Sequence, residues 1–125
     1  MKLPRHMRMT EWREFSRVRR EGRSFAGRHL VLGVLRDSRI GDSKFGFITT
    51  RRVGNAVTRN RIRRRMRAIV RDVGESLNHG YFVVTVARNP AAGASWSRLR
   101  SEWVRLARKA GVLRELPANR EPNPS

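Results

Sequence analysis

The residues best equipped for chemistry in this sequence are arginines, and they crowd into one stretch. Between Ser43 and Arg71 there is no acidic residue, while Lys44, Arg51, Arg52, Arg59, Arg61, Arg63, Arg64, Arg65, Arg67 and Arg71 all fall there. A guanidinium is flat, permanently charged and weakly hydrated, so it can grip a phosphate through two N–H groups or stack on a base. On a helix, Arg59, Arg63 and Arg67 repeat every fourth residue and share one face. Like charges at that spacing cost roughly 0.2–0.5 kcal/mol per isolated pair, and no acid follows until Asp72. A helix with a purely structural role has no need of this arrangement. At a rise of about 1.5 Å per residue the three arginines span roughly 12 Å, enough to meet two phosphates of one strand.

The whole chain agrees with this stretch. Twenty-nine basic residues against ten acidic ones give a net charge of +19, and a protein so charged finds its counter-charge on a partner: nucleic acid, an anionic membrane or an acidic protein. Lys2, Lys44 and Lys109 are the only lysines; compositional bias accounts for the preference for arginine, but not for the net charge. With no cysteine, disulfides and thiolate metal sites are excluded. No apolar run is long enough to span a membrane and the N-terminus has no signal-like segment, so the expected compartment is the cytoplasm. His6, His29 and His79 lie apart with no ligand spacing, and no phosphate loop or nucleophile motif occurs. A small-molecule substrate is not expected.

The elements that must position the arginines can be read from periodicity. At 125 residues and 38% hydrophobic content there is room for one domain, expected over residues 10–114, between a flexible N-terminus (1–9) and a disordered tail (115–125). Thr10 to Glu21 reads as a short amphipathic helix capped by Thr10, with Trp12, Phe15 and Val18 at helical spacing. Phe25 to Leu35 reads as a strand, Asp37 to Ser43 as a turn, and Lys44 to Thr50 as a second strand expected to pair antiparallel with the first. Ala56 to about Ser76 forms the long helix, with Ile62, Met66, Ile69, Val70, Val73 and Leu77 stepping by three and four. Tyr81 to Ala87 is a third strand, Asn89 to Gly93 a loop, and a last helix carries Trp96, Leu99, Trp103, Leu106 and Ala110 on one face. The order α-β-β-α-β-α, with room for a small extra strand, predicts a single-domain α+β fold, a two-layer sandwich of helices on a sheet.

The segment Arg51-Arg-Val-Gly-Asn-Ala-Val-Thr-Arg-Asn-Arg-Ile-Arg-Arg-Arg-Met-Arg strongly resembles the signature of the bacterial ribonuclease P protein subunit. Its parts stand at Arg51-Arg52, Gly54 to Val57, Arg59 to Arg61, Arg63-Arg64 and Arg67. Glu14-Phe15, Val18 and Gly22 resemble the family's first helix, Arg28 falls in its first strand, and Ala87-Arg88-Asn89-Pro90 resembles the turn after a later strand, so the resemblance covers about Thr10 to Val112. It implies a subunit that joins a catalytic RNA and helps it remove the 5′ leader from precursor tRNA, with Mg2+ used by the RNA. It also implies a ribosomal-protein-like fold in which a left-handed β-α-β crossover joins two parallel strands around the basic helix. By position, Arg51, Arg52, Asn55, Arg59, Asn60, Arg61, Arg63, Arg64 and Arg67 become the RNA-binding set. Phe15, Val18, Arg19 and Arg28 become candidates for a cleft that holds the leader.

Two departures from the family pattern fall in that cleft. Arg19 replaces an aromatic one turn after Phe15, and Gly33 replaces an aromatic in the first strand. Phe15 is equally readable as a core residue beside Trp12, and Asn55 and Asn60 as caps at the helix start. Trp96 and Trp103 are expected in the core. The competing reading is a ribosomal or chaperone-type protein that binds structured RNA without assisting cleavage. Membrane binding through the basic helix conflicts with the need for its Ile62/Met66/Ile69/Val73 stripe in the core.

Overall fold

The computed structural model of the chain describes residues 3–114, and the tail expected over 115–125 lies outside them. Helix α1 runs from Trp12 to Glu21. Thr10 is therefore not its cap. The helix begins after Glu11, whose N–H donates back to Glu14 Oε1 (3.4 Å), the reach of an acid in the first turn toward an unpaired donor. Gly22 then ends the helix, and the chain enters a hairpin. The single strand expected over Phe25–Leu35 is two strands, β1 (Arg23–Ala26) and β2 (Leu30–Arg36), paired antiparallel across a turn at 27–29.

The expected pairing of the next strand is also corrected. Strand β3 (Lys44–Ile48) does not pair with β2 but lies parallel to β4 (Tyr81–Ala87), which occupies the place beside β2. The sheet order is β1-β2-β4-β3. Parallel neighbours cannot be joined by a tight turn and need a crossover. That crossover is α2 (Ala56–Asp72), followed by a 3-10 turn at Gly74–Ser76. A second 3-10 turn, Asn89–Gly93, leads into α3 (Trp96–Ala110), capped at its start by Ser95 and ended by Gly111 in the left-handed region (φ 84°).

Alternation along β4 divides the molecule. Val83 and Ala87 face α2 and α3, joining Leu30, Leu32, Phe45, Ile62, Met66, Ile69, Leu99 and Trp103 in the main core. Phe82 and Val84 face the other way, onto Val18 and Phe15 of α1. The fold is α+β as expected, but with helices on both faces of the sheet rather than in two layers. Trp103 is wholly buried, and its indole N–H donates to Thr85 Oγ1 (2.9 Å). Trp96, expected beside it, sits at the helix start and is 36% exposed. Within the N-terminal stretch expected to be flexible, Leu3 and Met9 are buried, and Met9 N–H donates to the Phe45 carbonyl (2.9 Å) along the outer edge of β3.

Two carboxylates pin the periphery. Asp37 accepts from Arg17 Nη1 (2.8 Å) and from Arg39 Nε and Nη2 (both 2.9 Å), tying α1 to the β2–β3 connection. The Arg39 and Arg17 guanidiniums hold its carboxyl well below the usual range. Glu102 of α3 is buried; its Oε2 accepts from the backbone N–H groups of His29 (2.8 Å) and Leu30 (2.7 Å), and Oε1 lies 3.0 Å from His29 Nδ1. Burial alone would raise Glu102, but the hydrogen bonds from the His29 ring and the two N–H groups outweigh it and hold it low. Since its pKa is depressed on folding, Glu102 contributes fully above its ordinary value of 4.5 and loses that contribution as pH falls through the folded-state value. Glu102→Gln should therefore be less stable at neutral pH by about 1–3 kcal/mol, the cost of an unsatisfied buried donor. It should also show a shallower loss of stability below pH 4.5. Urea melts across pH check this, and parallel curves for the two proteins would contradict it.

Candidate nucleic-acid interface

Helix α2 exists because one stripe of it is apolar. Ile62, Met66, Ile69 and Val70 are buried, and Asn55 caps the start by accepting from Thr58 N–H (2.9 Å). Every other stripe is polar, and seven arginines occupy it with Asp72 as the one acid at the end. Of the two readings of Asn55, the helix cap is the one its geometry fills.

The arginines divide into two groups that the linear spacing did not separate. Arg61 and Arg65 turn toward the Asn89–Gly93 side, where they donate to the carbonyls of Ala92 (3.4 Å) and Ala94 (2.9 Å). Both are half-buried there, and Arg61 Nε is buried with no partner. Arg59 is half-buried too, donating to the Gly54 carbonyl (3.0 Å). Arg63 donates to Thr49 Oγ1 (2.6 Å) and to the side-chain oxygen of Asn60, which fixes its direction. Arg51, Arg52, Asn55, Asn60 and Arg64 are exposed.

A second grouping was missed in the sequence. Arg64, Arg67 and Arg71 come together with Arg8 and Leu3 around a depression of about 360 Å3. Arg8 belongs to the N-terminal segment, and only its bridge to Phe45 on the β3 edge brings it there. Burial and the nearby charges of Arg63, Arg8 and Arg64 push Arg67 below its ordinary value. Among the described residues no acid lines the depression. An anion placed there would relieve mutual repulsion as well as gain charge-assisted hydrogen bonds.

On the opposite face of the sheet lies a larger cleft of about 660 Å3, within the usual range of about 300–1,000 Å3 for ligand clefts. Its wall is α1, through Trp12, Phe15, Ser16, Val18 and Arg19, and its floor is the sheet, through Val31, Gly33, Ile48, Val84 and Val86. Phe15 packs closely against β3: a Cβ at Gly46 would stand 2.4 Å from its ring. Val18 is buried behind it. Phe15 packs in the second core, as its core reading expects, and it also lines the cleft. Arg28 is elsewhere. It is exposed in the β1–β2 turn rather than in a strand and does not line the cleft. The two surfaces meet at the end of β3, because Thr49, which holds Arg63, directly follows Ile48 of the cleft floor.

The histidines do not form a reactive centre. His29 serves Glu102, while His6 (2.7 Å) and His79 (3.3 Å) approach different oxygens of Asp42. Among the described residues no group of three His, Cys, Asp or Glu side chains could hold a metal ion, and no helix is long and apolar enough to cross a membrane.

An acid-free arginine surface joined to an apolar, aromatic-walled cleft defines a nucleic-acid-binding α+β domain, one that can take phosphates on one side and unpaired bases on the other. Comparison with known proteins then gives the family. The family profile described as Ribonuclease P matches residues 3–111, and the chain belongs to the ribonuclease P protein family. It is 38% identical to the ribonuclease P protein component of Shouchella clausii, with 95% of this chain and 98% of that one aligned. With the component from Chloroflexus aggregans it shares 44% identity over 80% of this chain and 74% of that one. The fold matches the solved RNase P protein of Staphylococcus aureus with a TM-score of 0.80 at 23% identity, covering 86% of this chain and 97% of that one.

The crowding around Arg67 makes the folded state a better anion binder than the unfolded chain, and binding to the folded state alone is stabilising. Sulfate should raise the thermal midpoint more than chloride at matched ionic strength, and Arg67→Gln should lose most of that excess. Equal gains in both proteins would place the anion elsewhere.

Proposed function

We propose that the chain is the protein component of a ribonucleoprotein ribonuclease P, which removes the 5′ leader of precursor tRNA in the cytoplasm. Its partners are the catalytic RNA and the precursor tRNA. One observation carries the reading: the signature from Arg51 to Arg67 lies on and just before a helix whose apolar stripe is wholly committed to the core, in a chain of this family. The same commitment argues against membrane binding through that helix.

In this reading Arg51, Arg52, Arg63, Arg64 and Arg67 contact phosphates of the catalytic RNA, and Asn60 aims Arg63. Asn55, Arg59 and Arg61 act mainly by fixing the start of α2 and its seat on the Asn89–Gly93 turn. The unpaired leader lies in the cleft between α1 and the sheet, where Phe15 and Val18 exclude water and Arg19 reaches the backbone. Arg28 sits away from the cleft, and its part in leader binding is correspondingly indirect. Holding the leader in a fixed position reduces the entropy lost in reaching the cleavage geometry. Cleavage itself, and the Mg2+ it uses, we assign to the RNA. Neutralising RNA phosphates lets the complex fold and bind substrate at lower Mg2+.

Reconstitution tests this. Adding the protein to a bacterial ribonuclease P RNA with a precursor tRNA at low magnesium should stimulate leader removal, and the RNA alone should catch up as magnesium is raised. Absence of stimulation, with binding only to ribosomal RNA, would favour an RNA-binding protein without a part in cleavage.

A further inference from the structure

Trp12 is the most exposed large apolar side chain among the described residues, 78% exposed, and it is not an isolated surface residue. It stands at the mouth of the cleft in continuity with Phe15, one helical turn further on. Helical spacing groups it with Phe15 and Val18, yet only these two pack in the core; Trp12, in the first turn of α1, stays in solvent. Folding therefore gains little from its ring, and a large aromatic contiguous with an open apolar cleft marks a binding surface.

The chemistry of the cleft selects the occupant. Among the described residues that line it none is acidic, the one charge is Arg19, and the hydroxyls are those of Ser16 and Ser24. A net charge of +19 favours a polyanion over an apolar peptide or a neutral ligand. A single strand of nucleic acid offers both chemistries needed, flat bases for the aromatic and phosphates for the arginine. Trp12 and Arg19 are seven residues apart, so they point the same way about 10 Å apart along the helix. That separation suits a base on one and a neighbouring phosphate on the other. Two positions where an aromatic could have faced the strand, 19 and 33, hold Arg and Gly. Gly33 also leaves the floor open, with a Cβ there meeting only Val18 Cγ1 at 3.3 Å and a carbonyl at 4.0 Å.

We infer that Trp12 is the base-stacking platform of this chain, receiving an unpaired nucleotide of the precursor tRNA leader at the mouth of the α1–sheet cleft while Arg19 takes an adjoining phosphate. The inference rests on the proposed leader cleft and adds to it the residue that grips the base. Trp12 takes over from the aromatics that positions 19 and 33 lack.

The test uses the full chain assembled with the catalytic RNA and two precursor tRNAs, one with a long single-stranded leader and one trimmed to a single leader nucleotide. Trp12→Ala should weaken binding of the long-leader substrate by about 5- to 150-fold, the range expected for losing one stacked base, and leave the trimmed substrate unaffected. Trp12→Phe should recover most of the loss. Because Trp12 is so exposed, the variants should melt with the wild type, and the long leader should quench tryptophan emission in wild type but not in Trp12→Phe. If Trp12→Ala binds both substrates like wild type while wild type still prefers the long leader, the leader cleft stands and Trp12 has no part in it. If wild type does not distinguish the two leaders, both the cleft reading and this inference fall. If Trp12→Ala instead weakens binding to the catalytic RNA alone, the cleft holds a segment of that RNA and the leader assignment is overturned.

Discussion

Everything in this fold answers to the mutual repulsion of the arginines on α2. Seven guanidiniums on a 17-residue helix with a single terminal acid would destabilise that helix in isolation. It persists because Ile62, Met66, Ile69 and Val70 are driven into a core with the sheet and α3 and because Asn55 caps its start. Part of the charge is then dispersed onto carbonyls and hydroxyls, by Arg59, Arg61, Arg63 and Arg65. What remains undispersed gathers around Arg64, Arg67, Arg71 and Arg8, with no acid beside them among the described residues that line the depression. Apolar burial sets the helix against its own electrostatics, and the residual imbalance favours an anionic partner.

The remaining elements hold that helix in place and add a second surface. Running β3 and β4 parallel requires a crossover, and the crossover is the arginine helix itself. Glu102 and Asp37 tie down the hairpin turn and α1, and the space between α1 and the sheet stands open as a cleft. The arginine surface and the apolar cleft thus fall on different elements that meet near Thr49.

Much of this was legible in the residues. Three- and four-step periodicity located all three helices and named the buried face of α2 correctly, since burial and amphipathicity are local signals. Strand pairing was not legible, because pairing partners are chosen over long separations. Asp37 to Ser43 has turn chemistry whether it closes a hairpin or leads away from β2, and Gly27 looked like an interruption in one strand rather than the bend between two. The arginines share a residue type, so spacing could not tell those that hold the Asn89–Gly93 turn from those that face solvent. Arg8 joined the basic surface only through the edge of β3. Trp12 has the period of the buried positions of α1, yet it is exposed at the helix start, which periodicity alone does not distinguish.

The central claim is that the exposed side of α2 is neutralised by RNA phosphates, and the salt dependence of binding measures this most directly. For the catalytic RNA, the slope of log affinity against log salt should fall by about 0.7–0.9 for each phosphate contact removed in Arg63→Ala and in Arg64→Ala, with the fold intact. Slopes equal to wild type in both variants would contradict it.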